Sequence, residues 1–439
     1  MKKVVSFILA ALFVVLSVSC GNGGSGEDGT SGVVTTTALE ASAPKDAFTF
    51  VKADDGTYSV TAFNTDTDEP HDVIIPTSYE GGSVTAISSD VFKECAAISK
   101  IVIPDSVTDI GSGAFYGCSE LEEIVMSKNI QKIGSEAFKS CSKLKSVDIP
   151  WSVALGADAF SDCESLARKI YNPTENETLY ILMVGNSFCY YYPDELFGLA
   201  KAAGIDMVIC NVYYSGCTIE SHYNWWKNNE RNYEFYIYDK YGRKGLKGLG
   251  LEDCLGAYDW DVISIQDGPT PYRNGGISGA VASREPGLTE LLKLFKERFP
   301  KADLYWHHFW SSQVGYEYKG YGIPNKAAQD KEYRDYCTLT KGVVTKHGLT
   351  VIPSGEAWEK ARANELIGDT LCMADCHHEG EEGGGQYLNA CVWFEMLTGR
   401  SVVGNTYRPS YNLLEEKIPV LQQAAHDAVM EGKFNKKQT

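Results

Sequence analysis

Three residues of the chain have the types and spacing that nucleophilic chemistry needs. Ser187 stands in Gly185-Asn186-Ser187-Phe188, directly after the apolar run Leu179 to Val184. Far downstream, Asp375 and His378 lie three residues apart in Asp375-Cys376-His377-His378. A serine hydroxyl is a poor nucleophile until a base takes its proton, and an imidazole does this well only when a third group fixes its tautomer. A carboxylate three residues before a histidine lies one turn away, close enough for that orienting bond. The bland reading of Gly-Asn-Ser is a strand-to-helix turn in which Ser187 caps the next helix. The functional reading therefore rests on both motifs together.

Positioning such a set needs a rigid frame, and the grammar after residue 178 supplies one. Apolar runs at Leu179 to Val184, Asp206 to Val212, Asp261 to Gln266, Ala302 to Trp306 and Leu349 to Pro353 predict strands. Helical patterns fall between or after them, at Pro193 to Ala203, Gly287 to Phe299, Asn325 to His347, Glu356 to Ile367, Gln386 to Thr398 and Leu413 to Met430. Strands alternating with helices imply a parallel sheet covered on both faces, an α/β fold in the form of a three-layer α/β/α sandwich. Ser187 then falls at the carboxyl edge of the sheet, with the helix from Pro193 aiming its amino-terminal dipole towards an anion.

Over residues 179 to 399 the order of these blocks resembles the SGNH, or GDSL-type, hydrolase superfamily. Gly185-Asn186-Ser187 is similar to the nucleophile block, with Asn where the family has Asp. Gly216, in Tyr214-Ser215-Gly216-Cys217 after the second strand, fits the glycine that donates to the oxyanion. The third block departs most: Gln266 in Ile265-Gln266-Asp267-Gly268 stands where the family has an Asn. Asp375-Cys376-His377-His378 fits Asp-x-x-His and singles out His378 over His377. The resemblance implies Ser187 as nucleophile, His378 as base, Asp375 as its orienting group, and an oxyanion hole of Ser187, Gly216 and Gln266, with no metal or organic cofactor. A rival metal reading of Cys372, Cys376, His377, His378 and Glu379 is weak, because one short loop supplies every ligand. His222, Trp225, Trp306 and His307 are candidate substrate-binding residues, and the Trp and Tyr content suits a sugar-stacking floor.

Residues 86–166 follow another rule. Cys95, Cys118, Cys141 and Cys163 are 23, 23 and 22 residues apart, and Phe92, Phe115, Phe138 and Phe160 keep the same steps. A period in the low twenties with one recurring apolar stripe predicts a leucine-rich solenoid, strong over about four units and similar to the bacterial surface-antigen type. The repeated Cys are expected as buried, inert side chains. Asp54-Asp55-Gly56-Thr57 predicts a hairpin that caps the first repeat.

Met1-Lys2-Lys3, an apolar stretch and Ser19-Cys20 have the order of an export signal, and Cys20 resembles a lipidation site. The expected organisation is thus a leader over 1–19, a tether over 20–46, repeats over 47–168, a linker over 169–178 and the hydrolase-like domain over 179–432. A net charge of −18 on 439 residues argues against nucleic acid as a partner, and leaves the membrane to the lipid anchor alone. The resulting expectation is an outer-membrane lipoprotein, on the periplasmic face or the cell surface. Its expected activity is hydrolysis of acyl esters, acetyl first, on an acylated glycan or a small ester, while the repeats bind a protein or glycan partner. A lipase or thioesterase stays open, as does a surface adhesin with an inert hydrolase-like domain.

Overall fold

The computed structural model describes residues 47–64, 69–150, 152–166, 178–267, 284–318 and 320–435. The leader, the tether with Cys20, and residues 169–177 of the linker lie outside them.

The amino-terminal part is a solenoid with two parallel ladders. His71–Ile74, Ile98–Val102 and Glu123–Val125 pair along one side, and Gly82–Ile87, Asp109–Ile110, Lys132–Ile133 and Ala154–Leu155 along the other. The 23-residue step becomes a strand-to-strand step. Phe92, Phe115, Phe138 and Phe160 stack with centroids 4.7, 4.8 and 5.0 Å apart, which is the spacing between paired strands. Cys118 and Cys141 are buried as expected while Cys95 and Cys163, in the outer repeats, are half-buried; the thiols of Cys118, Cys141 and Cys163 donate to the carbonyls of Phe92, Phe115 and Phe138 at 3.0, 3.2 and 3.1 Å. All twelve cysteines among the described residues are free, Cys372 and Cys376 included. The antiparallel pair Phe48–Lys52 and Tyr58–Phe63 closes the first repeat, with Phe63 5.1 Å from Phe92.

The carboxyl-terminal part is the expected α/β/α sandwich. Its strands are β1 (Leu179–Gly185), β2 (Met207–Tyr213), β3 (Tyr233–Asp239), β4 (Gly242–Leu249), β5 (Val262–Ile265), β6 (Asp303–His307) and β7 (Thr350–Ile352), in the order β4-β3-β2-β1-β5-β6-β7. The helices are α1 (Pro193–Ala202), α2 (Ile219–Lys227), α3 (Leu251–Leu255), α4 (Gly287–Arg298), α5 (Lys326–His347), α6 (Ser354–Arg362), α7 (Gly385–Thr398) and α8 (Lys417–Glu431). Strand β1 is apolar and buried at every position but Tyr180, as a central parallel strand must be. Helix α7 is mostly apolar and buried throughout, its polar Gln386, Asn389 and Glu395 included.

The sheet is not wholly parallel. Strands β2, β1, β5, β6 and β7 run parallel, but β3 and β4 add an antiparallel hairpin beyond β2. Strand β4 carries no apolar alternation and is exposed along nearly its whole length. Its form comes from pairing with β3, and this is why no sequence signal announced it. The two parts meet in a short parallel bridge, Ile149–Pro150 against Arg400–Ser401.

Candidate active site

In the parallel core the register places Gly185 beside Tyr213, and Val184 beside Ile265. The turns after β1, β2 and β5 therefore open on one edge of the sheet, on both sides of β1. A glycine is required at the end of β1. A Cβ on Gly185 would lie 2.6 Å from Gln266 Cγ and 3.0 Å from Cys189 Sγ. The chain then turns through a single 3-10 turn, Ser187–Cys189, before α1 begins, so Ser187 does not cap α1. Asn186 caps that turn instead. Its carboxamide oxygen accepts from Phe188 N–H at 3.2 Å, and its Nδ2 donates to the Cys217 carbonyl at 2.9 Å. An Asp here would have no proton for that carbonyl, which gives the Gly-Asn-Ser variant a local reason.

The second loop is folded by its own backbone. Met373 N–H donates to His378 O at 2.7 Å, and Gln313 N–H donates to Cys376 O at 2.9 Å. Within this frame Asp375 Oδ1 accepts the N–H groups of His377 and His378, both at 3.0 Å. Asp375 Oδ2 lies 2.6 Å from His378 Nδ1, and His378 Nε2 lies 2.8 Å from Ser187 Oγ. Partial burial works to raise the Asp375 carboxyl, but the His378 side chain and the two N–H groups outweigh it and hold it below the ordinary 3.8. An ionised Asp375 accepts from Nδ1–H. That leaves Nε2 as the acceptor facing the serine hydroxyl. His377 points elsewhere, to Ser312 Oγ at 3.2 Å and onto the Tyr316 ring at 4.8 Å. Among the described residues no three His, Cys, Asp or Glu side chains converge as a metal site.

Behind Ser187 runs a chain of buried polar groups. Gln266 is 2% exposed. Its Nε2 donates to Asn186 Oδ1 at 3.3 Å, and its Oε1 lies 2.5 Å from His307 Nδ1. His307 Nε2 in turn meets Ser354 Oγ at 2.8 Å and accepts from Trp393 Nε1 at 3.4 Å. Burial pushes His307 down to about 3, so it is neutral and donates through Nδ1. Gln266 thus stands behind Asn186 with one of its two amide N–H groups given to that residue, and the expectation that His307 binds substrate is corrected, because that ring is wholly buried. Trp306 is wholly buried, its indole N–H donating to Thr340 Oγ1 at 3.3 Å. His222 is buried as well, between Tyr233 Oη at 2.8 Å and Cys217 Sγ at 3.1 Å, and burial lowers it to about 4. A strand end points side chains inward as often as outward, and sequence position alone does not separate the two.

Trp225 is partly buried, with its ring 4.9 Å from Tyr214. Gly216, at φ +69°, is exposed and open on its Cβ side. Among the described residues neither Gly216 N–H nor Ser187 N–H donates to a protein acceptor.

An aromatic group beside the serine went unread in the sequence. Tyr191 lies 5.6 Å from the His378 ring and 5.0 Å from Tyr190, which packs on Tyr213 at 4.7 Å and Tyr236 at 5.1 Å. The triplet Tyr190-Tyr191-Tyr192 directly after the serine turn was the available signal. Tyr236 comes from β3, which was not anticipated.

Comparison with known proteins follows the two parts. Residues 72–180 match the BspA-type leucine-rich repeat region in six copies, more than the four legible by eye. No curated protein matches the chain. Among solved structures, a DUF4886 family protein from Bacteroides uniformis is 29% identical over 60% of this chain and 98% of its own, with a TM-score of 0.52. A leucine-rich repeat protein from Bacteroides capillosus is 31% identical over 29% of this chain and 95% of its own, at a TM-score of 0.25. An acetylxylan esterase from Geobacillus stearothermophilus is 12% identical over 50% of this chain and 91% of its own, at 0.33, a likeness too distant to carry an argument. Residues 180–428, more than half of the chain, match the domain of unknown function DUF4886, and the chain belongs to that family.

Proposed function

We propose that the protein is a serine esterase acting on acyl esters of carbohydrate, acetyl esters first. One observation carries this reading: the unbroken hydrogen-bonded line from Ser187 Oγ through His378 to Asp375, at 2.8 and 2.6 Å. As Ser187 Oγ bonds to the ester carbonyl carbon, its proton passes to His378 Nε2, and Asp375 stabilises the imidazolium. The Ser187 and Gly216 N–H groups are the donors proposed for the oxyanion. Collapse breaks the bond to the alcohol, which leaves with the proton from His378. Water, deprotonated by the same imidazole, then attacks the acyl-serine and releases the acid. None of these steps draws on a metal or an organic cofactor.

Tyr190, Tyr191, Tyr213 and Tyr236 support a sugar as the alcohol part, because aromatic faces suit the C–H faces of a pyranose. Export and lipid attachment at Cys20, with the repeats turned to a protein or glycan partner, complete the proposal.

The test is turnover of nitrophenyl acetate and acetylated xylan by a soluble form beginning after Cys20. Ser187→Ala and His378→Ala should lose activity by a factor on the order of 10⁴ or more. Cys189→Ala should not, because that thiol is fully buried and burial raises it well above 9.0. Equal loss in the Ser187 and Cys189 variants, or none in either, would sink the assignment. A preference for long acyl chains would move it to a lipase or thioesterase.

A further inference from the structure

We infer that Arg243 forms an anion subsite at the rim of this site, one that receives a carboxylate on the alcohol side of the ester. The substrate class is then acylated acidic glycan. The inference rests on the esterase reading and narrows it.

Arg243 lies on β4 directly opposite Tyr238. Its guanidinium sits 4.6 Å from the ring centres of Tyr190 and Tyr236, and 5.4 Å from Tyr238. Stacking on three rings fixes the direction of the planar fork at little entropic cost while leaving its charge intact. The hairpin is shaped for this. Gly245 faces Tyr236, and a Cβ there would press to 3.0 Å on Tyr236 Cε1.

The charge has no carboxylate partner within ion-pairing distance among the described residues. Asp194, in the first turn of α1, feels the Arg243 field, which lowers its carboxyl against the larger rise from burial, yet forms no ion pair with it. The hairpin's two acids are engaged elsewhere: Glu234 by the Tyr236 hydroxyl and by Lys247, whose Nζ lies 3.1 Å away, and Asp239 by the Tyr241 N–H at 2.7 Å. The exposed guanidinium bonds the Tyr190 side chain, which helps to orient it, and its charge and remaining N–H groups are left to meet an external anion. Its place sets the reach: Arg243 touches Tyr190, Tyr190 touches Tyr191, and Tyr191 touches His378. Two tyrosine rings thus stand between Arg243 and His378, which places the guanidinium beside a neighbouring sugar and not beside the acyl group. A uronic-acid carboxylate is planar, and a flat guanidinium fork binds it in two bonds.

The experiment compares kcat/KM on acetylated polygalacturonate and acetylated xylan for the wild type and Arg243→Gln. Wild type should prefer the acidic polymer, and Arg243→Gln should cut that preference about tenfold, the weight of a charge-assisted hydrogen bond. The wild-type preference should also shrink as salt rises to about 0.5 M. An unchanged ratio in the variant overturns the subsite. If Arg243→Gln does not fold, a wild-type preference insensitive to salt overturns it instead. Failure of the esterase reading shows differently, as silence on both polymers or full activity in Ser187→Ala. In that case binding of polygalacturonate against unacetylated xylan by the Ser187→Ala protein, with and without Arg243→Gln, still decides the subsite by calorimetry.

Discussion

Gln266 Nε2 donates to the carboxamide oxygen of Asn186 across 3.3 Å, tying the end of β5 to the residue that precedes the serine. The same Asn186 reaches the Cys217 carbonyl, so one side chain joins the turns after β1, β2 and β5. Ser187 is thus backed by a network that runs through Asn186, Gln266 and His307 to Ser354 and Trp393. Buried polar groups of this kind are costly when one member is lost, because the others remain unpaired.

His307→Phe removes the donor to Gln266 Oε1 and leaves a buried carbonyl oxygen without it. Stability should fall by about 1–3 kcal/mol, read as a lower urea midpoint at unchanged slope. In the folded fraction kcat should fall while KM holds, because Gln266 loses its orientation and the binding surface does not.

Asn186→Asp exchanges the donor to Cys217 O for a carboxylate oxygen. The variant should be destabilised by about 1–3 kcal/mol. The defect should deepen as pH rises and the new acid ionises against a carbonyl. Urea unfolding at two pH values would show this, and a flat response would remove Asn186 from the network.

Asp375→Asn keeps acceptors for the His377 and His378 N–H groups but can present an amide N–H to His378 Nδ1. The imidazole then carries its proton on Nε2 and cannot accept from Ser187. A loss in kcat of about 10⁴ is expected, the size seen for this exchange in serine proteases, with melting temperature nearly unchanged.

Buried His222, His307 and His308 are lowered from 6.5 to about 4, 3 and 3, in each case chiefly by desolvation. Below pH 6.5 the unfolded chain takes up protons that the folded one refuses. The stability contributed by the neutral rings is therefore full above that pH and lost as pH falls towards 4 and 3. Melting temperature should decline steadily from pH 6.5 to 4. Replacing His307 with Asn should flatten the slope, and an equal slope would locate the effect elsewhere.

Gly134→Ala tests the solenoid. A Cβ there would come within 2.5 Å of Ser112 N in the preceding repeat, and backbone cannot yield as a side-chain tip does. A cost of about 1–3 kcal/mol is expected, seen as an earlier thermal transition. Gly204→Ala, on the α/β domain, has nothing within 4 Å and only its positive φ to oppose it, so it should cost less.

Much of this protein is local and was legible as such. The 23-residue period fixed the solenoid, because each repeat buries its stripe only against a copy of itself. Alternating apolar runs and amphipathic helices called for a covered sheet. The spacing of Asp375 and His378 set one on the other, since a carboxylate three residues back in a tight turn reaches the ring. Other features depend on which strands become neighbours. Only the folded chain brings the loop before α7 to the turn after β1, so that Ser187 meets His378 from 191 residues away. Only burial separates Trp306 and His307, sealed at a strand end, from Tyr190 and Tyr191 at the open rim. Strand β4 has no pattern of its own, so Arg243 gained its three aromatic neighbours when β3 paired with it. Sequence determines what a segment would do in isolation, whereas the partner across a sheet edge is chosen by the whole chain, because hydrogen bonding and burial there are shared between segments far apart.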